Sequence, residues 1–382
     1  MATLCRQLGS DPEPGLVTTR TQGRILDAIS GLPVEVSTGA GLSSVVAVIR
    51  GAHPGGAALL RAGTDAIVTA AVGTTAGAGD LDWRGVDAAA LVGAAMVLAE
   101  RRDELSGDVV LAWQPGSHGY GGAARMLAEG LLNASGRPVD AGYALRALPG
   151  LPHGMVAVRS GPMFAAADQL RVTIRDTGTG TTRPVTVACQ VATMLDRTQF
   201  GELTAVTVEG VATTGPYADT ATVTATARTR HVTTQTRVRD AVRRLATGYA
   251  IAHGMDATVQ LMARQPATVN HPTEVARLTQ AVTEMYGRER LVELNNPVAL
   301  SDDFGDVLDA VPGALALVLG AIPESDQDGG MALLPFAAAL LASLAVRQLF
   351  AGRVTPVTMR RRVRHRAHLS VVPGPSHRPL WR

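Results

Sequence analysis

Ser117 and His118 are neighbours in the run QPGSHGYGG, and together they offer a nucleophile and a base. A serine triad is defined by geometry rather than adjacency, and no G-x-S-x-G elbow surrounds this serine. A solvent-facing turn is the plainer reading of the pair. The same run holds the glycine-rich stretch Gly116–Gly122 between an apolar segment and a helical one. A helix N-terminus there could hold an anion, but the spacing is not G-x-G-x-x-G and no P-loop lysine follows. Cys5 and Cys189 form no C-x-x-C pair, which argues against a cysteine zinc knuckle or a disulfide framework. They leave a reducing cytoplasm as the default expectation.

The elements around these residues follow from apolar periodicity. Residues 43–51 and 57–63 read as buried strands, 86–105 as a long helix, 107–115 as the next strand and 121–132 as the following helix. That alternation predicts a mostly parallel sheet covered on both faces. From 168 to 263 the order changes to strand, helix, strand, strand, helix, strand: 168–176, 184–197, 202–210, 219–228, 235–254 and 255–263. This βαββαβ order predicts a small ferredoxin-like sandwich. The first pattern resumes at His271, with helices on either side of a strand at 313–321, so the sandwich reads as an insertion.

The chain has 382 residues, 46% of them hydrophobic, enough for two or three sizeable cores, and a formal charge of +2 gives no overall pull toward nucleic acid. All basic side chains apart from histidine are arginine. From Ala351 onward every charged side chain is basic, with Arg360–Arg366 the densest cluster. A like-charge block without apolar period predicts a solvated, disordered tail; contact with nucleic acid or anionic lipid is the rival reading. Met331–Phe350 approaches bilayer-spanning length, but Pro335 and Arg347 interrupt it, and a buried helix is expected instead. The N-terminus carries no signal-like apolar core.

Several segments together resemble one enzyme family. QPGSHGYGGAARMLAEGLL and LRALPGLPHGMVAVRSGPMFAAADQLRVTI, with LLRAGTDAI and LVELNNPVALSDDFGDVLDAVPGALALVLG, are similar in consistent order to the zinc-dependent amidohydrolases that include hippurate hydrolases and indoleacetic-acid–amino-acid hydrolases. The similarity runs from about Gln22 to Leu349. It implies an α/β/α zinc-peptidase-like sandwich with an inserted ferredoxin-like lid and dimerisation domain: residues 1–165 and 270–350 for the first, 166–269 for the second, and 351–382 for the tail. It also implies Zn, Mn or Co in a dinuclear site, where paired metals polarise a carbonyl and deprotonate a bridging water and a glutamate moves the proton.

The motif positions depart from that pattern. The Cys-Gly-His-Asp-x-His run of the family falls on Arg84, Gly85, Val86, Asp87, Ala88 and Ala89. Its Glu-Glu pair falls on Ser117 and His118, the histidine of G-L-H on Arg146, and the two aspartates of R-A-D-M-D on Gly63 and Asp65. The glutamate of S-E-D-F falls on Asp302. A late histidine falls within 325–330, the lid's G-G-H within 178–184, and the lid's carboxylate-anchoring asparagine near Thr213 or Thr214; none of the three is present. The expectation is a family member without metal or cofactor, non-catalytic, that binds an acyl-amino-acid-like ligand or pairs through its lid with itself or an active relative. Arg84 and Arg146 would pair with Asp65, Asp87 or Asp302. The rival is a remodelled hydrolase of N-acyl amino acids, with Asp65, Asp87, His118 and Asp302 as a single-metal site.

Overall fold

Eight strands form one sheet in the order β1-β2-β4-β3-β5-β14-β6-β13. They are β1 (Glu35–Thr38), β2 (Val45–Ile49), β3 (His53–Gly63), β4 (Ser106–Gln114), β5 (Ala141–Pro149), β6 (Met155–Val158), β13 (Leu291–Glu293) and β14 (Gly313–Gly320). The computed structural model describes residues 1–65, 83–117, 119–149, 154–178, 182–201, 204–214, 218–229, 232–320 and 333–350. The sheet centre, β4-β3-β5-β14, is parallel. Antiparallel partners flank it: β2 against β4 and β6 against β14. The predicted mostly parallel sheet therefore holds at the centre and gives way toward the edges.

Strand alternation divides two cores. On β3, Ala58, Leu60 and Ala62 face one core, shared with the helices α3 (Trp83–Glu100), α7 (Pro272–Tyr286) and α9 (Leu334–Leu349). Ala57 and Leu59 face the other, shared with α4 (Gly122–Ala128), α8 (Phe304–Ala310) and Phe304. Side chains two apart on a strand share a face, so the next residue in the second series is Arg61. The α9 segment is the apolar run predicted as a buried helix, and it packs in the first core. Among the described residues no helix is long and apolar enough to cross a membrane.

A second sheet of four strands, ordered β11-β8-β10-β9, is antiparallel throughout. Its strands β8 (Ala166–Asp176), β9 (Thr204–Thr213), β10 (Thr220–Thr229) and β11 (Met255–Gln265) enclose α5 (Pro184–Arg197) and α6 (Val232–Ala252) in the predicted βαββαβ order. Leu170, Val172 and Ile174 of β8 join Val187, Val191 and Leu195 of α5 and Val238 and Val242 of α6 in a core of their own.

Two helices are shorter than periodicity suggests. The predicted helix 86–105 stops at Glu100 and continues as a 3-10 turn at Arg102–Glu104. The predicted helix 121–132 stops at Ala128, because Gly130 takes a left-handed φ of 90° and a separate turn, Leu131–Asn133, follows. Cys5 is buried, Cys189 is exposed, and both are free thiols. The predicted tail, 351–382, lies outside the described residues.

Candidate functional site

The carboxyl ends of β3, β4 and β5 bring Arg61, Gln114 and Arg146 together on the face of the second core, the usual location of sites in open parallel sheets. Opposite them, Asp302 and Asp303 stand at the entry to α8. Arg61 is 4% exposed, and Asp302 and Asp303 are 0% and 1% exposed, so these charges are out of bulk water. Buried charges persist only when paired and hydrogen-bonded.

The pairing is dense. Arg61 donates from Nη1 to Asp302 Oδ2 at 3.2 Å, from Nη2 to Asp303 Oδ1 at 3.0 Å and from Nε to Gln114 Oε1 at 2.8 Å. Its guanidinium carbon lies 5.8 Å from the Phe304 ring centre, a cation–π contact. Arg146 Nη1 donates to Asp302 Oδ2 at 2.7 Å. The backbone N–H of Phe304 donates to Asp302 Oδ1 at 2.9 Å. Gln114 Nε2 donates to both Asp303 oxygens, to Oδ1 at 2.7 Å and Oδ2 at 2.8 Å, and the Ala123 N–H donates to Oδ2 at 2.9 Å.

That last bond settles the glycine-rich loop. The first turn of α4 holds the Asp303 carboxylate, a negative charge of its own chain at the positive end of a helix. Gly122 is required there for space, since a Cβ would stand 1.9 Å from the Pro115 carbonyl oxygen.

Asp65 and Ser117 form a second cluster beside the first. Asp65 Oδ1 accepts from the Ser117 Oγ at 2.6 Å and from the Ser117 N–H at 2.8 Å. Ser117 is 1% exposed. The solvent-facing turn expected of it is therefore corrected: its hydroxyl is buried against a carboxylate. Gln265, at the end of β11, donates from Nε2 to the Ser117 carbonyl at 2.7 Å and accepts from Ser301 Oγ at 2.6 Å. Through Gln265 the four-stranded sheet reaches the site. His118 lies outside the described residues.

The expected arginine patch is right in one half. Arg146 pairs with Asp302, as expected, whereas the side chain of Arg84 is outside the described residues. Asp87 Oδ1 accepts from the Ala147 N–H at 2.8 Å, which ties α3 to β5 one residue beyond Arg146. Each of the three carboxylates is thus engaged: Asp65 by Ser117, Asp87 by the Ala147 N–H, and Asp302 by Arg61 and Arg146. Among the described residues no group of three or more His, Cys, Asp or Glu is arranged to hold a metal ion. The residues missed by sequence reading are Arg61, Gln114, Asp303 and Gln265. The first three stand inside quoted segments, and Arg61 carries its own signal: a charge in the apolar strand AALLRAG needs a buried partner.

Electrostatics in the site are finely opposed. Burial pushes the Asp303 carboxyl up to about 7; Arg61 and the Ala123 and Gln114 donors pull it down, and Asp302 pushes it further up. Burial works against the Arg61 charge, but Asp302, Asp303 and Asp65 outweigh it and raise the guanidinium above its ordinary value.

A family model described as "Peptidase family M20/M25/M40" matches residues 60–343, which include every described residue of the site. The chain belongs to peptidase family M20/M25/M40. Thermostable carboxypeptidase 2 of Saccharolobus solfataricus is 25% identical over 338 residues, covering 81% of this chain and 82% of its own. IAA-amino acid hydrolase ILR1-like 2 of Arabidopsis thaliana is 29% identical over 291 residues, covering 68% and 63%. Among solved structures, the Bacillus subtilis YXEP protein, a dinuclear metal binding peptidase from the M20 family, superposes with a TM-score of 0.71 at 24% identity, covering 91% of this chain and 97% of that one. The aminobenzoyl-glutamate utilization protein of Klebsiella pneumoniae gives 0.73 at 18% identity, covering 90% of this chain and 95% of that one. These likenesses establish an M20-type fold with a central mixed sheet and a smaller antiparallel one.

Proposed function

We propose that this chain is a non-catalytic M20-type protein, in which a buried arginine–aspartate network stands where relatives carry out metal chemistry. The observation that carries the reading is the state of Asp302. Arg61, Arg146 and the Phe304 N–H all donate to its two oxygens. A divalent ion needs converging, deprotonated ligands, and two guanidiniums beside it would repel it. The described residues of the site therefore do not fit a dinuclear centre. Asp65 is engaged by Ser117 and Asp87 by a backbone N–H, with arginine at 146 where the family motif has histidine. On this reading residues 166–269 are the lid and dimerisation domain. The protein acts as a homodimer, or with an active relative, and its ligand is acyl-amino-acid-like.

A second reading has its own support: relatives are carboxypeptidases and IAA-amino acid hydrolases. On it, the chain hydrolyses N-acyl amino acids through a remodelled site built on Asp65, Asp87, His118 and Asp302. The test is an assay of N-acetyl and indoleacetyl amino acids with Zn²⁺, Mn²⁺ or Co²⁺, with and without chelator. The first reading expects no chelator-sensitive release of amino acid. Release that the chelator abolishes, and that fails in Asp302→Asn, would replace it with the second.

A further inference from the structure

The helical side of the four-stranded sheet carries a cleft of about 570 Å³, away from the residues described above. Thr198, Gln199 and Phe200, just after α5, form one wall; Arg237, Val238, Ala241, Arg244 and Leu245 of α6 form the other. Arg237 and Arg244 lie seven residues apart, two helical turns, so both stand on the same face. Val238 is 2% exposed and belongs to the core beneath, with Phe200 and Leu245 packed partly against it, so the floor is apolar.

Charge in the cleft is unbalanced. Asp240 also borders it, but its carboxylate is paired with Arg243 at 3.0 Å. Arg239, on the adjoining face, turns to the buried Asp168 at 3.4 Å. Arg237 and Arg244 have no ion-pair or hydrogen-bond partner among the described residues, and both are exposed. Two uncompensated guanidiniums over an apolar floor, in a volume ordinary for small-molecule sites, select one kind of occupant.

We propose that this cleft binds a small amphipathic organic anion. Its carboxylate or sulfonate would sit between Arg237 and Arg244, and its apolar body would cover Phe200, Val238 and Leu245. The inference is independent of what the Arg61–Asp302 region does, and is tested without reference to it.

The probe is 8-anilinonaphthalene-1-sulfonate, titrated into the full chain and followed by fluorescence, with its uncharged parent N-phenyl-1-naphthylamine as comparison. We expect saturable binding of the sulfonate, at least tenfold tighter than the parent. The double variant Arg237→Gln/Arg244→Gln should weaken it at least tenfold. The double variant Arg171→Gln/Arg175→Gln removes the same charge from β8, outside the cleft, and should leave it within twofold. Ala241→Trp, which fills the cleft from a half-buried position on α6, should abolish binding while melting as the parent protein does. Equal affinity for the neutral compound, equal losses in both double variants, or no saturation up to about 1 mM, a binding free energy of only about −4 kcal/mol, would each overturn the proposal.

Discussion

Removing the Arg61 guanidinium would leave Asp302 and Asp303 buried side by side, with Arg146 still paired to Asp302. Breaking a buried pair from one side costs about 3–5 kcal/mol. Arg61→Ala is therefore expected to lose that much stability in urea denaturation, and a loss below about 1 kcal/mol, the range of exposed pairs, would mean the network carries little. A second expectation concerns pH. Asp303 titrates near 7 when folded and near its ordinary acidic value when unfolded. The folded state then holds more protons between those two values, so the Asp303 contribution to stability falls as pH rises through that window. The difference in stability between wild type and Asp303→Asn, followed from pH 4 to 7.5, should shift steadily against wild type; a flat difference would show that Asp303 stays ionised throughout. At this scale the sequence was half legible. Asp65, Ser117, Arg146 and Asp302 were singled out by motif position and are brought to one region. Gln114 and Gln265 were not, because an amide has no electrostatic signature in a sequence and gains its role only from the carboxylate or carbonyl it meets.

At the level of elements, α4 matters out of proportion to its length. Its first turn carries the Ala123 N–H that holds Asp303, and Gly122 allows the chain to pass the Pro115 carbonyl. Gly122→Ala is expected to cost about 1–3 kcal/mol, the range for overpacking a tight interior, and to loosen the Asp303 contact, seen as faster amide exchange at Ala123. Unchanged exchange would show that the loop moves aside at no cost to the site. Strands and helices with clear period were legible here: α5 begins and ends where its sequence pattern does, at Pro184 and Arg197. The truncation of α4 was less so, because the apolar spacing runs on past Gly130 while the backbone there turns left-handed. The antiparallel neighbours of the central strands were also hidden, since strand direction depends on pairing across the sheet rather than on local pattern.

For the whole molecule, the two sheets meet the site differently. The eight-stranded sheet supplies Arg61, Gln114 and Arg146 from adjacent strand ends, and the four-stranded sheet supplies Gln265 from the end of β11. Gln265→Ala removes the bond to the Ser117 carbonyl and is expected to cost about 1–3 kcal/mol, the range for a buried acceptor left unmade, measured by thermal unfolding. The βαββαβ order was legible from its alternation, and so was its place between two halves of an α/β pattern. What the sequence could not state is which partner Arg146, at the motif's histidine position, takes: it meets Asp302, 156 residues away in the chain. The proposed non-catalytic reading rests on that pairing, and metal content tests it most directly. The tag-free protein would be incubated with excess Zn²⁺, Mn²⁺ or Co²⁺, desalted, and its metal counted by elemental analysis. Ligand protonation and number set affinity, so the arginine–aspartate network predicts less than about 0.1 ion per chain. One ion or more per chain, lost in Asp65→Asn or Asp302→Asn, would contradict it.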